Sequence, residues 1–321
     1  MSKRIRTAAG FPGARISPLG RIRYGAYFLL GLACFACAGI SDRMPAREPV
    51  VLSHREFLAA VGPVGGPAVP SSLGEATARG ERPLRIATYN VHQCKGVDFR
   101  RDPGRVAEVI RSLDADIVSL QEVLTGSRGE ASSQLRYLAE KTGMFMAVAG
   151  PTTRKAGGLY GNALLSRFPI TEVRLHDISF GAFEPRGIID ADILVGDLTV
   201  RVVATHFGLW PMERIRQSRR LLQILPENPE LPLIVLGDLN GWIPGSPVLR
   251  RLRTRLGRSA AVRSFPAPFP LLPLDRIWVV PAGYRPEVDA HRSPLAGIAS
   301  DHLPMVVSVS LRGNGRDVSS P

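Results

Sequence analysis

Three cysteines are all that the 321 residues contain, and two of them, Cys34 and Cys37, fall in one apolar stretch near the N-terminus. Cys94 stands alone in the remainder. That supply excludes a disulfide framework and a zinc ligand set. It says nothing of the redox compartment, because an exported protein need not carry disulfides. Lysine is almost as scarce, since nearly all of the 41 basic residues are arginine, and acids are outnumbered at 28, for a formal net charge of +13. From Leu84 onward there are 30 basic and 23 acidic residues, so nearly half of the excess lies in the first 83 residues. A basic surface attracts a phosphate-bearing partner, nucleic acid or anionic lipid, over long distances. An arginine-rich proteome gives the same composition without any such partner. No internal repeat of short, fixed period is present, although two strand-rich halves are conceivable. The apolar fraction is ordinary, so the chain can build a sizeable core as one large domain or two small ones.

Residues 1–23 carry Lys3, Arg4, Arg6, Arg15, Arg21 and Arg23 with no acid, and residues 24–40 follow without a charge. A basic flank before an apolar stretch is the pattern of an export signal, and Ala36-Cys37-Ala38 resembles a cleavage site before Gly39. At 17 residues the uncharged run also reaches the short limit, ~17–25 residues, of a spanning helix. Residues 1–40 are therefore read as a signal peptide or an N-terminal membrane anchor, with membrane attachment through residues 24–40 in the second case. A misplaced start codon or a buried helix is the competing account. Either main reading leaves the positive flank in the cytoplasm and the rest exported, periplasmic or membrane-anchored. A lipoprotein cysteine is disfavoured, because neither Cys34 nor Cys37 has Leu three residues before it. Residues 41–83, with VGPVGGPAVPSS at their centre, read as a flexible linker with a short helix near 54–61. Residues 312–321 read as a disordered tail.

Between residues 84 and 311 apolar runs of strand and helix type are interleaved. LIVLGDLNGWI at 233–243 is the most informative: a continuous apolar run bounded by Pro232 and Gly237, suited to a strand covered on both faces. Strands are also expected at 84–90, 117–120, 144–149, 162–165, 188–194, 199–205, 274–280 and 305–311. Helices are expected at 105–113, 132–142 and 214–225, and a Gly-rich loop at 157–161. Many of the connections look hairpin-like, which predicts an α/β fold of two mixed β-sheets flanked by helices.

Polar residues capable of chemistry recur where these strands end: Asn90, Glu122, Asn162, His206, Asp238 with Asn240, Asp275, and Asp301 with His302. Each alone has a plain explanation in turn or cap chemistry; Gly-Asp-x-Asn-Gly, for one, is good turn sequence. Their joint occurrence is harder to explain that way, and strand ends gathered at one sheet edge would line one cleft.

The stretches TYNVH (88–92), SLQEV (119–123), YGNALLSRFPI (160–170), EPRGII (184–189), ATHFG (204–208), VLGDLNG (235–241), LDRIWV (274–279) and SDHLP (300–304) resemble the endonuclease/exonuclease/phosphatase superfamily, the DNase I-like phosphoesterases. They occur in the superfamily's order and span 84–311. FPAPFPLLPLDRI at 265–277 is similar to a small bacterial metal-dependent hydrolase branch, which does not identify a substrate. The resemblance implies a four-layer α/β/β/α sandwich and hydrolysis of a P–O ester bond with Mg2+, or Mn2+ in its place. It implies Glu122 as principal metal ligand, with Asn90 and Asp301 completing the metal environment. Asp238 would activate or orient the attacking water, and Asn240 would hold that water or the phosphate. His302 would contact the scissile phosphate, with Asp275 fixing its tautomer and favouring its charged form. His206 would lie near the leaving oxygen, where it could donate a proton, and Asn162 and Arg186 would contact phosphate.

These roles match what phosphoryl transfer asks for, positioning and charge neutralisation around in-line oxygens. The expected function is that of an exported, Mg2+-dependent phosphodiesterase acting as a monomer on nucleic acid or phospholipid. A phosphomonoesterase of the same fold and a non-catalytic phosphate-binding scaffold are the alternatives, and the intact acid and histidine set argues against the scaffold. Two arginine clusters, at 214–220 and 250–258, could grip a polyanion but fit a solvated helix face better. The 265–274 stretch could form an apolar wall at the cleft or merely pack as a loop. Trp210 could flank a base or lipid, or cap the helix that follows. Cys94 is read as structural or incidental, and His54, His176 and His291 as non-functional.

Overall fold

Leu84 and Ile86 point to one side of strand β1 (Leu84–Asn90), and Ala87 and Tyr89 to the other; both sides are buried. That double burial follows from the position of β1 inside a sheet covered on both faces. A computed structural model describes residues 71–78, 81–125, 134–144, 146–155, 158–227, 229–281, 284 and 286–311. The six-stranded sheet has the order β10-β11-β1-β2-β4-β3. Its other strands are β2 (Ile117–Leu124), β3 (Met146–Lys155), β4 (Gly158–Ser166), β10 (Glu287–Ala290) and β11 (Met305–Val309). A five-stranded sheet runs β5-β6-β7-β8-β9. These strands are β5 (Ile170–Asp177), β6 (Gly187–Val195), β7 (Leu198–His206), β8 (Leu233–Asp238) and β9 (Asp275–Val280). Each sheet is mixed: β1–β2 and β7–β8 are parallel pairs and the remaining pairs are antiparallel.

The inner faces of the sheets meet in one apolar core, with Ile86, Leu164 and Val307 from one sheet and Ile189, Val202 and Ile234 from the other. Helices α2 (Pro103–Ser112) and α3 (Gln134–Thr142) cover the outer face of the six-stranded sheet through Val106, Ile110 and Leu138. Helices α4 (Pro211–Ile224) and α5 (Pro247–Leu256) cover the other sheet through Leu221 and Leu252. The result is the expected α/β/β/α arrangement of four layers. Caps fix where the helices start. Asp102 accepts from the backbone N–H of Gly104 and Arg105, with Pro103 following, and Ser246 accepts from Leu249 N ahead of Pro247. The short helix α6 (Ala296–Ala299) precedes the last strand. No helix among the described residues is long and apolar enough to cross a membrane.

Several expectations need correction. Ser71–Ala78, inside the stretch read as a linker, forms a helix, α1, packed against β6. Gly74 permits this contact: a Cβ there would lie 2.9 Å from Gly196 N at the β6–β7 turn. Arg82 then ties the entry to β1 through Thr77 Oγ1 and Asp116 Oδ1 (2.8 Å). The Gly-rich loop expected at 157–161 is largely strand, since β3 runs to Lys155 and β4 starts at Gly158. Strand β5 escaped the reading because a register shift between Ile170 and Glu172 breaks its alternation, and β10 because it is a four-residue edge. Helix α5 covers the stretch in which the sequence shows only an arginine cluster. The helix expected near 54–61, the tail at 312–321 and the N-terminal segment lie outside the described residues.

Candidate active site

Strand direction brings the predicted residues to one edge. β7 and β8 run parallel and end as register partners at His206 and Asp238, while β9 starts antiparallel with Asp275 opposite Asp238. From the facing sheet, β1 ends at Asn90 beside β2, and the segment entering β11 supplies Asp301 and His302. Two backbone devices aim these side chains. Gly237 takes φ 141° so that β8 passes Thr205 closely; a Cβ there would lie 1.8 Å from Thr205 O. In β2, the register with β4 shifts between Leu120 and Val123, and Glu122 adopts φ 61°. Such a bulge takes one side chain out of the ladder and re-aims it, here leaving Glu122 half-buried at the mouth.

Asn90 connects the two sheets. Its Nδ2 donates to Glu122 Oε1 and to Asp238 Oδ2, both at 3.1 Å, while its Oδ1 accepts from His92 N at 3.1 Å. Asp301 stands next to this group through Ser300, whose Oγ donates to Asn90 O (2.7 Å) and lies 3.3 Å from Asp301 Oδ1. Glu122 and Asp238 therefore share one amide, and the predicted metal and water-activating residues form a single constellation.

Behind Asp238 sits a buried acid–imidazole pair. His302 Nδ1 is 2.9 Å from Asp275 Oδ2, and His302 Nε2 is 3.7 Å from Asp238 Oδ2. Burial alone would favour neutral imidazole, but Asp275 and then Asp238 override it and push the pKa of His302 up to about 10. Asp238 is itself raised, chiefly by burial, with His302 pulling the other way. Asp238 Oδ1 also accepts from Asn240 N at 2.9 Å, which closes a turn at the strand exit.

His206 has the opposite electrostatics. Burial first, then Arg186 and His302, hold its pKa well below the ordinary imidazole value. Arg186 Nη1 lies 3.1 Å from His206 Nδ1, so Nδ1 accepts and the proton resides on Nε2. Nε2–H faces Asp238 Oδ2 at 3.5 Å, while Asn240 Nδ2, 3.3 Å from Nε2, gives its hydrogen bond to Phe207 O instead (2.9 Å). Burial and Arg186 thus favour a neutral His206 with Nε2–H as its donor. Arg186, expected on phosphate, is buried against His206 and against Glu184 Oε1 at 2.8 Å, with its Nε lacking a partner. Asn162 is buried and donates to Gly187 O at 2.9 Å, tying β4 to the start of β6 beside Arg186.

The donor set at the mouth fits a hard divalent cation. Glu122 and Asp301 are half-buried carboxylates with solvent at hand for water ligands; Asn90 turns its Nδ2 toward the acids and would add its Oδ1 only by giving up the bond it accepts from His92 N. Asp238, Asp275 and His302 also bring ligand atoms within 4.8 Å of one another. In that deeper group, however, Asp275 Oδ2 is already occupied by His302 and by the Ser264 hydroxyl, so it reads as a hydrogen-bonded unit.

Sequence reasoning missed two residues. Ser264 donates to Asp275 from 11 residues away, with no local signal. Tyr160 is buried, its phenol raised by burial and then by the charges of Glu122 and Glu184, and Lys155 caps its ring with the ammonium 3.4 Å from the centroid. In the 265–274 stretch, Phe265 lies against the His302 ring at 4.9 Å between centroids, while Phe269 and Leu271 are exposed. Cys94 is structural: it is fully buried among the α2 and α3 packing residues, and burial pushes its thiol up to about 12. His176 contacts Asp190 and His291 contacts Ser112, both remote from these residues. Arg219, Arg220, Arg250 and Arg253 are exposed on the outer helices, which fits a solvated face.

Comparison with known proteins agrees with this geometry. Residues 87–302 match the model of the Endonuclease/Exonuclease/phosphatase family. YbhP of Escherichia coli (strain K12) is 31% identical over 216 residues, 61% of this chain and 84% of YbhP. Among solved structures, an endonuclease/exonuclease/phosphatase from Beutenbergia cavernae superposes with a TM-score of 0.60 at 25% identity, covering 71% of this chain and 72% of that one. The mannosyl-6-phosphatase Bt3783 of Bacteroides thetaiotaomicron shares the fold, with a TM-score of 0.54 at 19% identity over 70% of this chain and 99% of that one. A match across two thirds of the sequence, together with one edge that gathers its acids, amides and imidazoles, makes the chain a member of the endonuclease/exonuclease/phosphatase family.

Proposed function

We propose that the protein is a divalent-cation-dependent phosphodiesterase that cleaves its substrate, of nucleic-acid or phospholipid type, by in-line attack of water. The observation that carries this is the Asn90 amide joined at 3.1 Å to both Glu122 and Asp238, with the His302–Asp275 pair behind Asp238. Glu122, Asn90 and Asp301 would hold the cation, Mg2+ or Mn2+, which when bound polarises a phosphoryl oxygen. Asp238, raised by burial, orients the attacking water and accepts its proton. His302, held cationic by Asp275, offers Nε2–H to a phosphate oxygen as charge develops there. His206 offers a neutral Nε2–H, and Asn240 helps fix the reacting groups. The new bond joins the water oxygen to phosphorus, an ester P–O bond breaks, and a monoester and an alcohol leave.

A Mg2+ titration of turnover of a generic diester, wild type against Glu122→Gln, tests this reading. A loss of turnover in the variant that raised Mg2+ partly restores supports it; equal activity in both at every Mg2+ concentration refutes it. The reading includes export of the domain out of the cytoplasm, for which the support is the charge pattern of residues 1–40. Mass spectrometry of the mature N-terminus tests that part, and a start upstream of Tyr24 excludes cleavage.

A further inference from the structure

The exposed apolar side chains of the described residues are unevenly placed. Twelve large ones are exposed, and all but Tyr137 and Leu231 lie in segments that leave or enter the strand ends bearing the active site. Phe183 lies between β5 and β6, and Leu209, Trp210 and Met212 sit where β7 passes into α4. Trp242 and Ile243 follow Asp238 and Asn240, and Leu271 precedes Asp275. Trp210 is 58% exposed, Trp242 46% and Leu271 58%, exposures that a core-packing role does not account for. Phe180 stacks on Phe183 within the β5–β6 loop, and Phe183 meets Trp210 from the next loop, each pair 6.2 Å between centroids.

We propose that this collar docks on an anionic phospholipid bilayer, so that the active site takes its phosphodiester from a lipid headgroup. The inference rests on the phosphodiesterase reading above and names its substrate class. Three observations select a bilayer over another occupant. The apolar residues are divided among several loops that adjoin the strand ends bearing the polar site, so shallow insertion would bury them with those strand ends facing headgroups. Cations stand among them: Arg216 lies 5.9 Å from the Phe180 ring, and the exposed Arg292 lines a depression of about 450 Å³ together with Ala267, Ile298 and Leu303. Tryptophan and phenylalanine backed by arginine is the composition that settles at the bilayer–water boundary and is drawn to anionic lipid. Finally, the uncharged run at 24–40 is separated from α1 by residues 41–70, a span whose fully extended reach is about 100 Å. A domain held by that run would work beside a membrane. Hydrolysis of a headgroup diester needs only water, and gives a phosphomonoester and an alcohol.

The chain has three tryptophans, of which Trp278 is buried and Trp210 and Trp242 belong to the collar. The full-length protein is therefore mixed with phosphatidylglycerol-containing vesicles whose acyl chains are brominated. Insertion predicts loss of roughly half of the tryptophan emission relative to unbrominated vesicles, since two of the three indoles enter the quenching layer. The double variant Trp210→Phe, Trp242→Phe should show no such loss, and Asp238→Ala should be quenched like the wild type. Equal emission on brominated and unbrominated vesicles overturns the docking, even if residues 24–40 hold the protein there. Quenching by single-stranded DNA without any by vesicles overturns it in favour of a nucleic-acid surface. Turnover of bis(p-nitrophenyl) phosphate is read on the same samples. Hydrolysis without insertion removes the docking and leaves the phosphodiesterase reading; insertion without hydrolysis of this diester or of lipid supports the docking and removes that reading. With both intact, Trp242→Ser with Leu271→Ser should lower vesicle-lipid turnover by about tenfold or more while soluble-diester turnover stays unchanged.

Discussion

His302 Nδ1 and Asp275 Oδ2 are 2.9 Å apart with both side chains buried, and that contact, with Asp238 nearby, keeps an imidazolium where water cannot solvate it. Asp275→Asn should lower turnover by about 10²–10⁴-fold, the usual worth of a placed acid or base. NMR titration of His302 should show its pKa falling from about 10 toward the ordinary value. The stability effect has a defined sign. A raised histidine pKa stabilises the fold fully below about 6.5 and loses that contribution as pH rises through about 10. The stability gap between wild type and Asp275→Asn should therefore be widest at low pH and close in alkali. Ser264→Ala, which removes one donor to Asp275, should cost turnover about tenfold.

Asp238 separates activity from stability. Its carboxyl is buried and raised, so it is held in place at some cost to the fold. Asp238→Asn should lose at least about 10²-fold in turnover, while its denaturation midpoint stays level or rises. A fall in both would point to a structural role.

Gly237→Ala tests the strand exit. The added methyl meets Thr205 O at 1.8 Å, and φ 141° is closed to a side chain. Urea denaturation should show destabilisation of at least about 3 kcal/mol.

Asp190 anchors a charge cluster away from the site. It is fully buried and bonded to Arg174 and Arg201, with Nε and Nη contacts of 2.7–3.2 Å. Burial works to raise its pKa, but His176, Arg201 and Arg174 depress it far below the usual carboxylate range. Its contribution is therefore present above about pH 4 and is lost as pH falls through the depressed folded value. Asp190→Asn should cost on the order of 3 kcal/mol near neutrality, because it takes the carboxylate from the partly buried Arg201 and one of three from Arg174, and the difference should narrow in acid. Denaturant titrations at several pH values check both points.

How much of this was legible depended on whether the signal was local. The run Leu233–Leu236 before Gly237 announces a buried strand and its exit, and Asn90, His206 and Asp238 sit at the ends of such runs. Their convergence was readable because several strands end in polar residues. Ser71–Ala78 resembled a linker, since the small residues that let it dock on Gly196 also erase its helical stripe. Glu122 was expected just beyond a strand and instead lies within β2, on a bulge whose register depends on β4. Ser264 and Tyr160 touch the site only through tertiary approach, which no spacing encodes.

The Asn90 amide reaches one acid from each sheet. Its neighbours are therefore carried by two separate scaffolds, and a small sliding of one sheet over the other would break one of the two 3.1 Å contacts before any strand unpaired. The apolar layer between the sheets thus acts as the alignment of the catalytic centre, and loosening that layer anywhere along its length would dim activity well ahead of unfolding.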